Sequence, residues 1–247
     1  MSTLLHVQRL SKSFSGVRAL ESVDVEVREG EILGLVGPNG SGKTTLFNCV
    51  TGFMRASSGS ISWCGADVSR LAPDQIARLG VVRTFQQKMV FPRVTVRENL
   101  EIGWRAAQRR NGTGAFAGCD DLIEFLDLAE MEGQLAGDIP FGFARKLGLG
   151  IALAACPRLL LLDEPAAGLD QDESRELGQL IRQVASRLGV TVCVIEHDMP
   201  LVMAICNRIV VLHAGRKIAE GQPADVANDP DVVSVYLGEK FARGRRT

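Results

Sequence analysis

The chain has 247 residues, long enough for one α/β domain with a full hydrophobic core, or for a core and a smaller lobe. Hydrophobic residues make up 46% and charged residues 23%, as in ordinary globular proteins. With a formal net charge of −1, bulk electrostatics give no hint of nucleic-acid binding. Six cysteines lack C-x-x-C spacing, so we expect reduced, mostly buried thiols. No apolar run reaches about 18 residues, and we expect any membrane role to depend on a partner.

The N-terminal segment predicts two strands. Residues 4–10 and 23–27 alternate apolar and polar side chains and are joined through a turn region around Gly16. Phe14 lies in that connection. From the sequence alone it is either a core aromatic or a flat ring able to stack on a base.

The next stretch has the P-loop pattern G-x-x-x-x-G-K-[ST], spelled Gly37-Pro38-Asn39-Gly40-Ser41-Gly42-Lys43-Thr44. Residues 31–36 predict a buried strand before it and residues 45–50 a short helix after it, which is the context the motif requires. Glycines let successive backbone N–H groups point at phosphate oxygens. Lysine brings a positive charge to the β- and γ-phosphates, and threonine offers a hydroxyl to Mg²⁺. The sequence therefore predicts a nucleotide site.

Further strands are predicted over residues 60–64 and 81–85. The helix between them, over residues 73–79, begins at a proline and is followed by a glycine. The second strand ends at Gln86, where α/β sheets place ligand contacts. A glutamine there is weak evidence of function by itself.

The middle of the chain predicts three helices without an intervening strand, over residues 95–110, 120–128 and 142–155. Thr95 and Glu98 have the spacing of a capping box at the first of these helices. A run of helices inserted into a strand–helix alternation indicates a separate helical lobe.

The alternation returns with a continuous apolar run over residues 159–162, followed by Asp163 and Glu164. This pattern favours a strand buried on both faces with carboxylates at its tip. Asp163 is placed to bind Mg²⁺, and Glu164 to polarise an attacking water. The alternative is an ordinary pair of acids at a strand end.

The C-terminal third begins with a long helix predicted over residues 172–188 and a buried strand over residues 190–195. That strand ends in Glu196-His197-Asp198, a second polar cluster at the same sheet edge. A lone histidine is more often structural, but His197 follows a strand that points toward the predicted nucleotide site. A hairpin around Gly215 and a short helix complete the chain.

In this order, the motifs resemble the nucleotide-binding subunit of an ABC transporter. The resemblance covers nearly the whole chain and runs through the P-loop, Thr84-Phe85-Gln86, the helical lobe, Asp163-Glu164-Pro165, Gly168-Leu169-Asp170 and Glu196-His197-Asp198. Within the family the chain is similar to cassettes of branched-chain (hydrophobic) amino-acid importers, in residues 46–52, 80–86, 163–168, 195–199 and 231–239.

The resemblance implies an α/β fold, with a P-loop NTPase (RecA-like) core, an N-terminal antiparallel β subdomain and an inserted α-helical subdomain. One ABC ATPase domain would span residues 1–247. Its catalytic core would cover about 1–90 and 156–247, and the helical subdomain about 91–155.

The resemblance also implies roles in ATP binding. Phe14 would stack on adenine, which reverses the simpler interpretation of a core aromatic. The phosphates would be bound by Gly37, Asn39, Gly40, Ser41, Gly42, Lys43, Thr44 and Thr45. The Mg²⁺ ligands would be Thr44, Gln86 and Asp163.

The catalytic set implied by the family is Glu164, His197 and Gln86. Glu164 would act as the base, His197 would contact the γ-phosphate, and Gln86 would sense Mg²⁺ and the attacking water. Asp170 would reach across a dimer interface. ATP held between two cassettes would close the dimer, and hydrolysis would reopen it.

One stretch departs from the family pattern. The family signature is usually Leu-Ser-Gly-Gly-Gln, and here the aligned residues are Ile139-Pro140-Phe141-Gly142-Phe143. The serine hydroxyl is lost, a charge-assisted hydrogen bond worth roughly 1.5–3 kcal/mol, although the Gly142 N–H and the helix dipole can still meet a phosphate. With a different partner cassette, the two ATP sites would therefore be unequal.

The function implied is that of an ATP-hydrolysing subunit of a bacterial importer of branched-chain or related amino acids. Its partners would be a second cassette, identical or different, transmembrane permease subunits and, indirectly, a substrate-binding protein, without nucleic acid. It would lie peripherally on the cytoplasmic face of the inner membrane. Lipopolysaccharide-export cassettes and non-transport ABC ATPases are the alternatives, and a P-loop kinase fits poorly.

Overall fold

The computed structural model describes residues 2–84, 90–108 and 116–243. The strands are β1 (Thr3–Phe14), β2 (Val17–Arg28), β3 (Ile32–Val36), β4 (Ser58–Trp63), β5 (Ala66–Asp67), β6 (Val81–Arg83), β7 (Leu159–Asp163), β8 (Thr191–Ile195), β9 (Arg208–His213) and β10 (Arg216–Gly221). The helices are α1 (Lys43–Val50), α2 (Pro73–Arg78), α3 (Val96–Gln108), α4 (Cys119–Phe125), α5 (Phe141–Ala154), α6 (Gln171–Leu188), α7 (Met199–Ile205), α8 (Pro223–Ala227) and α9 (Pro230–Arg243).

The N-terminal sheet is antiparallel, with strand order β2-β1-β4-β5. The two predicted N-terminal strands are confirmed, but each runs to 12 residues and is longer than predicted. Their register shifts at irregularities, and Arg9 and Ser22 adopt positive φ angles of 43° and 50° there. Because such bulges break the alternation of side chains, the sequence pattern stops short of the strand ends.

The central sheet has the order β10-β9-β3-β8-β7-β6, parallel except for β10. All residues of β3, β7 and β8 are buried, as expected for strands covered on both faces. One hydrophobic core joins the two sheets and includes Phe47 of α1 and Ile76 of α2. The other core covers the opposite face with α5, α6 and α7.

The strand register brings the predicted site to one edge of the central sheet. Ile195 on β8 pairs with Leu35 on β3 and with Asp163 on β7. Because the three strands are parallel, the segments that follow them leave from the same edge. The P-loop, Glu164 and His197 therefore start from neighbouring positions.

The three helices α3, α4 and α5 pack against one another. The predicted capping box is present, since Glu98 accepts the N–H of Thr95 at 2.8 Å and Thr95 accepts the N–H of Glu98 at 3.2 Å. The predicted helix over residues 120–128 ends earlier, at Phe125, because Asp127 turns the chain with a φ of 55°. Residues 109–110 of the predicted first helix lie outside the described residues.

The cysteines follow the prediction in part. No disulfide occurs among those described, and Cys49, Cys193 and Cys206 are buried, whereas Cys64 is exposed. Burial raises the pKa of Cys206 to about 12, so its thiol stays protonated. No helix in residues 2–84, 90–108 and 116–243 is long and apolar enough to cross a membrane.

Candidate active site

The P-loop lysine lies inside its own loop. Lys43 is only 7% exposed, and its Nζ donates to the carbonyl oxygens of Gly37 at 2.7 Å and Pro38 at 2.9 Å. Thr44, the next residue, is exposed, as are Asn39 and Gly40. The loop thus combines a buried cation with neighbouring residues that face solvent.

Two glycines of the loop are required by its backbone. Gly37 has a φ of 147°, and a Cβ there would lie 2.0 Å from the carbonyl oxygen of Leu212 on β9. Gly42 has a φ of 107°, and a Cβ there would lie 2.6 Å from the carbonyl oxygen of Ala19. The loop therefore packs so closely against β2 and β9 that no side chain fits at either position.

Two polar side-chain atoms of the site are buried but accept or donate no hydrogen bond among the described residues. Within the part of the chain that the structure describes, no group hydrogen-bonds Oγ of Ser41 or Oδ1 of Asp163. Such atoms are costly unless a ligand or ion completes them. Mg²⁺ is usually bound through one or two carboxylates together with substrate phosphates. One open carboxylate oxygen at the sheet edge of a P-loop fits that mode.

The other oxygen of Asp163 is held by Arg83. Nη2 of Arg83 donates to Oδ2 at 2.6 Å, and both side chains are buried, with 5% and 3% exposed. Nη1 of Arg83 donates to Oδ1 of Asn48 on α1, also at 2.6 Å. Arg83 and Asn48 were not predicted as site residues from the sequence. A charged residue inside a short apolar strand was the available signal.

Glu164 has an unusual backbone. Its φ is 48°, in the left-handed region, and its N–H donates to the carbonyl oxygen of Ile195 at 2.9 Å. Residues other than glycine rarely adopt this backbone conformation, and such strained residues are common at functional sites. The side chain is half-buried, directly beside Asp163 in the chain. The structure thus places the two predicted carboxylates together at the tip of β7.

His197 and its neighbour Glu196 differ sharply in exposure. The His197 side chain is 65% exposed, whereas that of Glu196 is 1% exposed. The Glu196 carboxylate accepts backbone N–H bonds from Ala166 at 2.8 Å and from His197 at 3.0 Å. Burial nevertheless raises the pKa of Glu196. Glu196 had no predicted role of its own, although an acid at the end of a buried strand was visible in the sequence.

Asp170 caps helix α6. Its Oδ1 accepts the N–H groups of Asp172 and Glu173, each at 2.9 Å, and Glu173 returns a bond to the N–H of Asp170 at 3.0 Å. This capping box fixes the turn that follows the two site carboxylates.

Phe14 lies at the end of β1 and is 41% exposed. The Nζ atom of Lys12 lies 5.0 Å from the centre of its ring. The exposed ring is therefore not a core residue, and its partly open face suits stacking.

The variant signature stretch begins helix α5. Pro140 is the N-cap residue and Phe141 is the first helical residue, one position earlier than predicted. A Cβ on Gly142 would lie 2.8 Å from Oε1 of Glu173, so the α6 carboxylate packs against the first turn. Arg145 of α5 donates to the carbonyl oxygen of Ala167 at 2.7 Å. The helix is thus tied to the segment that follows Glu164.

Gln86 lies outside the described residues, so its expected roles stay predictions. No cluster of three or more His, Cys, Asp or Glu side chains suited to a metal ion was found where the structure describes the chain.

Comparison with known proteins decides the family. The sequence profile described as ABC transporter matches residues 20–167. The chain belongs to this family. A second profile, described as branched-chain amino acid ATP-binding cassette transporter, matches residues 216–242 of the cassette.

Individual relatives agree. The cassette is 40% identical to the high-affinity branched-chain amino acid transport ATP-binding protein LivG of Salmonella typhimurium, with 96% of this chain and 98% of LivG covered. It is 34% identical to the lipopolysaccharide export system ATP-binding protein LptB of Haemophilus influenzae, with 97% and 99% covered. The ADP conformation of MJ1267, an ATP-binding cassette of an ABC transporter, matches with a TM-score of 0.86 at 29% identity, covering 96% and 100%. The resemblance to ABC cassettes and the α/β P-loop fold are confirmed.

Proposed function

We propose that this cassette is the ATP-binding and ATP-hydrolysing subunit of an importer of branched-chain or related amino acids. The observation that carries the proposal is the 40% identity to LivG over 96% of the chain. The match of residues 216–242 to the branched-chain amino acid profile also supports it, in a segment that lies outside the nucleotide-site motifs.

ATP binding falls to the P-loop and Phe14. The buried Lys43 ammonium supplies positive charge beneath the loop, and the N-terminus of α1 adds the positive end of a helix dipole. Oγ of Ser41, buried without a hydrogen-bond partner among the described residues, is a further donor in the same loop. Gly37, Asn39, Gly40, Gly42, Thr44 and Thr45 complete the phosphate cradle. Phe14 stacks on the base.

Residues at the carboxyl ends of β7 and β8 carry out hydrolysis. Asp163, Thr44 and Gln86 would hold Mg²⁺, which when bound would offset the negative charge that develops on the phosphates. Glu164 orients and deprotonates the attacking water. His197 extends into solvent beside them and donates to the γ-phosphate. The strained backbone of Glu164 fixes the direction in which its side chain leaves the main chain.

The cassette works with partners. A second cassette completes each ATP site, with Gly142 and Asp170 facing the opposite nucleotide and interface. Transmembrane permease subunits receive the motion of the helical subdomain, about residues 91–155, and a substrate-binding protein delivers the amino acid to them. The cassette then lies peripherally on the cytoplasmic face of the inner membrane.

A second candidate is favoured by one specific observation, the 34% identity to LptB. In that case the same ATP chemistry would drive the export of lipopolysaccharide. The identity is lower than that to LivG, and we rank amino-acid import first.

The test begins with a tagged cassette purified from gently solubilised membranes with its bound proteins. Two polytopic membrane proteins, identified by mass spectrometry, are expected. The complex is reconstituted into liposomes, and ATP-dependent movement of radiolabelled leucine is measured with a leucine-binding protein present. The Glu164→Gln complex is the matched inactive control.

Leucine movement in the wild-type complex and none in the control would support the proposal. Bound lipopolysaccharide-export proteins would replace it with the second candidate. Ribosomal or DNA-repair proteins without membrane proteins would overturn transport altogether.

A further inference from the structure

Arg83 and Asp163 form a buried ion pair inside the central sheet. Arg83 is the last residue of β6, and its backbone pairs with Leu161, two residues before Asp163 on β7. Nη2 of Arg83 lies 2.6 Å from Oδ2 of Asp163. From this pair we infer that Arg83 is a positioning residue that aims the other carboxylate oxygen, Oδ1, at Mg²⁺. The inference rests on the proposed function, in which Asp163 binds that ion.

The two oxygens of Asp163 are unequal in the structure. Oδ2 is taken by the guanidinium, whereas Oδ1 is buried without a hydrogen bond from any residue in the described ranges. A carboxylate held at one oxygen loses its freedom to rotate. Oδ1 therefore has a fixed direction before any ligand arrives, which is the arrangement that partners of metal-binding side chains provide.

Burial makes the partner necessary. The side chain of Asp163 is only 3% exposed and that of Arg83 only 5%. A lone ionised carboxylate at such a depth would be strongly destabilising, and the paired guanidinium offsets that cost. Arginine also gives planar, directional donors that lysine lacks. The pair thus keeps an acid buried at the site without occupying both of its oxygens.

Arg83 is itself held by the P-loop helix. Nη1 donates to Oδ1 of Asn48 at 2.6 Å, and Cζ lies 5.5 Å from the ring centre of Phe47. Both residues belong to α1, which begins at Lys43. Arg83 therefore sets the position of Asp163 relative to the helix that carries the phosphate-binding lysine and Thr44. The geometry joins metal ligand and phosphate cradle through one side chain.

The test separates metal binding from nucleotide binding in the purified full-length chain. Mn²⁺ replaces Mg²⁺, and its affinity for the chain–ADP complex is measured by electron paramagnetic resonance of free Mn²⁺. ADP affinity without metal is measured in EDTA. The variants are Arg83→Met, Arg83→Lys, Asn48→Ala and Asp163→Asn. Arg78→Met is the control, because Arg78 also pairs with an aspartate, Asp74, but at the surface.

Arg83→Met is expected to weaken Mn²⁺ binding about 10- to 100-fold, as loss of a ligand's hydrogen-bond partner does elsewhere. Metal-free ADP affinity should stay within about twofold. Arg83→Lys and Asn48→Ala should give smaller losses of Mn²⁺ affinity, and they serve the test if Arg83→Met does not fold. The control should change neither affinity.

Unchanged Mn²⁺ affinity in the Arg83 variants, with a clear loss in Asp163→Asn, would overturn the inference and leave the proposed function intact. Equal losses of Mn²⁺ and metal-free ADP affinity would also overturn it, because they indicate a structural role only. Unchanged Mn²⁺ affinity in Asp163→Asn would remove the metal role of Asp163 from the proposed function itself.

Discussion

The Glu196 carboxylate accepts a 2.8 Å hydrogen bond from the backbone N–H of Ala166. The acceptor follows β8, and the donor lies in the turn after Glu164, so the bond ties together the two strand tips of the site. Glu196 also accepts the N–H groups of His197 and Asp198, at 3.0 and 3.4 Å. A single buried carboxylate thus organises the backbone around the histidine.

The raised pKa of Glu196 gives a pH-dependent stability. Burial, the largest cause, raises this pKa from about 4.5, and the N–H bonds from Ala166, His197 and Asp198 oppose the shift. The folded protein then binds the proton more tightly than the unfolded chain. The stabilisation is present below pH 4.5 and is lost as pH rises through the folded-state pKa.

The wild type should therefore lose stability relative to the Glu196→Gln variant as pH rises. We expect the difference in their free energies of unfolding, wild type minus variant, to fall above about pH 4.5. Urea titrations across the acid to neutral range measure it. Glu124→Gln, at an exposed position, is the control. A difference that does not vary with pH would contradict the prediction.

Glu164→Gln should lower ATP turnover by about 10²- to 10⁴-fold, the usual contribution of a general base. ATP affinity should be little changed, because the substitution keeps the side-chain volume and removes only the proton acceptor. Steady-state ATPase assays and equilibrium ATP binding measure the two effects. Loss of affinity equal to the loss of turnover would show that Glu164 acts in binding instead.

The variant signature predicts unequal ATP sites when the partner cassette is a different chain. In such a pair the intact set Lys43, Asp163 and Glu164 would face the partner's signature, and the partner's P-loop would face the Pro140–Gly142 stretch. Glu164→Gln should then remove most turnover of the assembled complex, and the matching change in the partner should cost less. Equal losses from the two changes would reject the asymmetry.

Gly37→Ala and Gly40→Ala separate backbone strain from crowding. Both glycines have positive φ angles, but a Cβ meets the Leu212 carbonyl oxygen at 2.0 Å in Gly37 and nothing within 4 Å in Gly40. We expect Gly40→Ala to lower the free energy of unfolding by about 1–2 kcal/mol. Gly37→Ala should cost a further 1–3 kcal/mol or so. Equal values in chemical denaturation would mean that the loop relaxes freely.

Phe14→Ala should weaken ATP affinity by roughly twofold to 13-fold, because a stacked aromatic pair is worth about 0.5–1.5 kcal/mol. Phe53→Ala, at another exposed phenylalanine, is the control. Competition with a fluorescent ATP analogue measures both. If Phe14→Ala weakened the binding of ATP and of inorganic triphosphate equally, the result would argue against contact between Phe14 and the base.

The sequence predicted most of the fold because local patterns specify it. The buried runs before Gly37 and before Asp163 are each a short, continuous apolar segment, and both form parallel strands. The Thr95–Glu98 pair and Gly80 marked helix ends correctly. The early end of α4 was missed because Asp127 takes a left-handed conformation that no neighbouring residue signals.

The site was predicted less completely than the fold. Motif spacing identified Lys43, Asp163 and Glu164, because each of them lies in a short motif of contiguous residues. Arg83 and Asn48 escaped because their pairing with Asp163 depends on strands and helices brought together from separate parts of the chain. The charge within an apolar strand marks Arg83 as unusual, but local sequence does not identify a hydrogen-bond partner 80 positions away.

The cap on α6 has a consequence for the entropy of assembly. Both hydrogen bonds that the Asp170 side chain accepts in the described structure end on Oδ1, so folding of α6 already fixes its χ1 rotamer. Ordering a side chain at an interface ordinarily costs about 0.5–1.5 kcal/mol. A dimer contact through Oδ2 of Asp170 would avoid most of that loss on this protomer, and it would form and release without disturbing the helix.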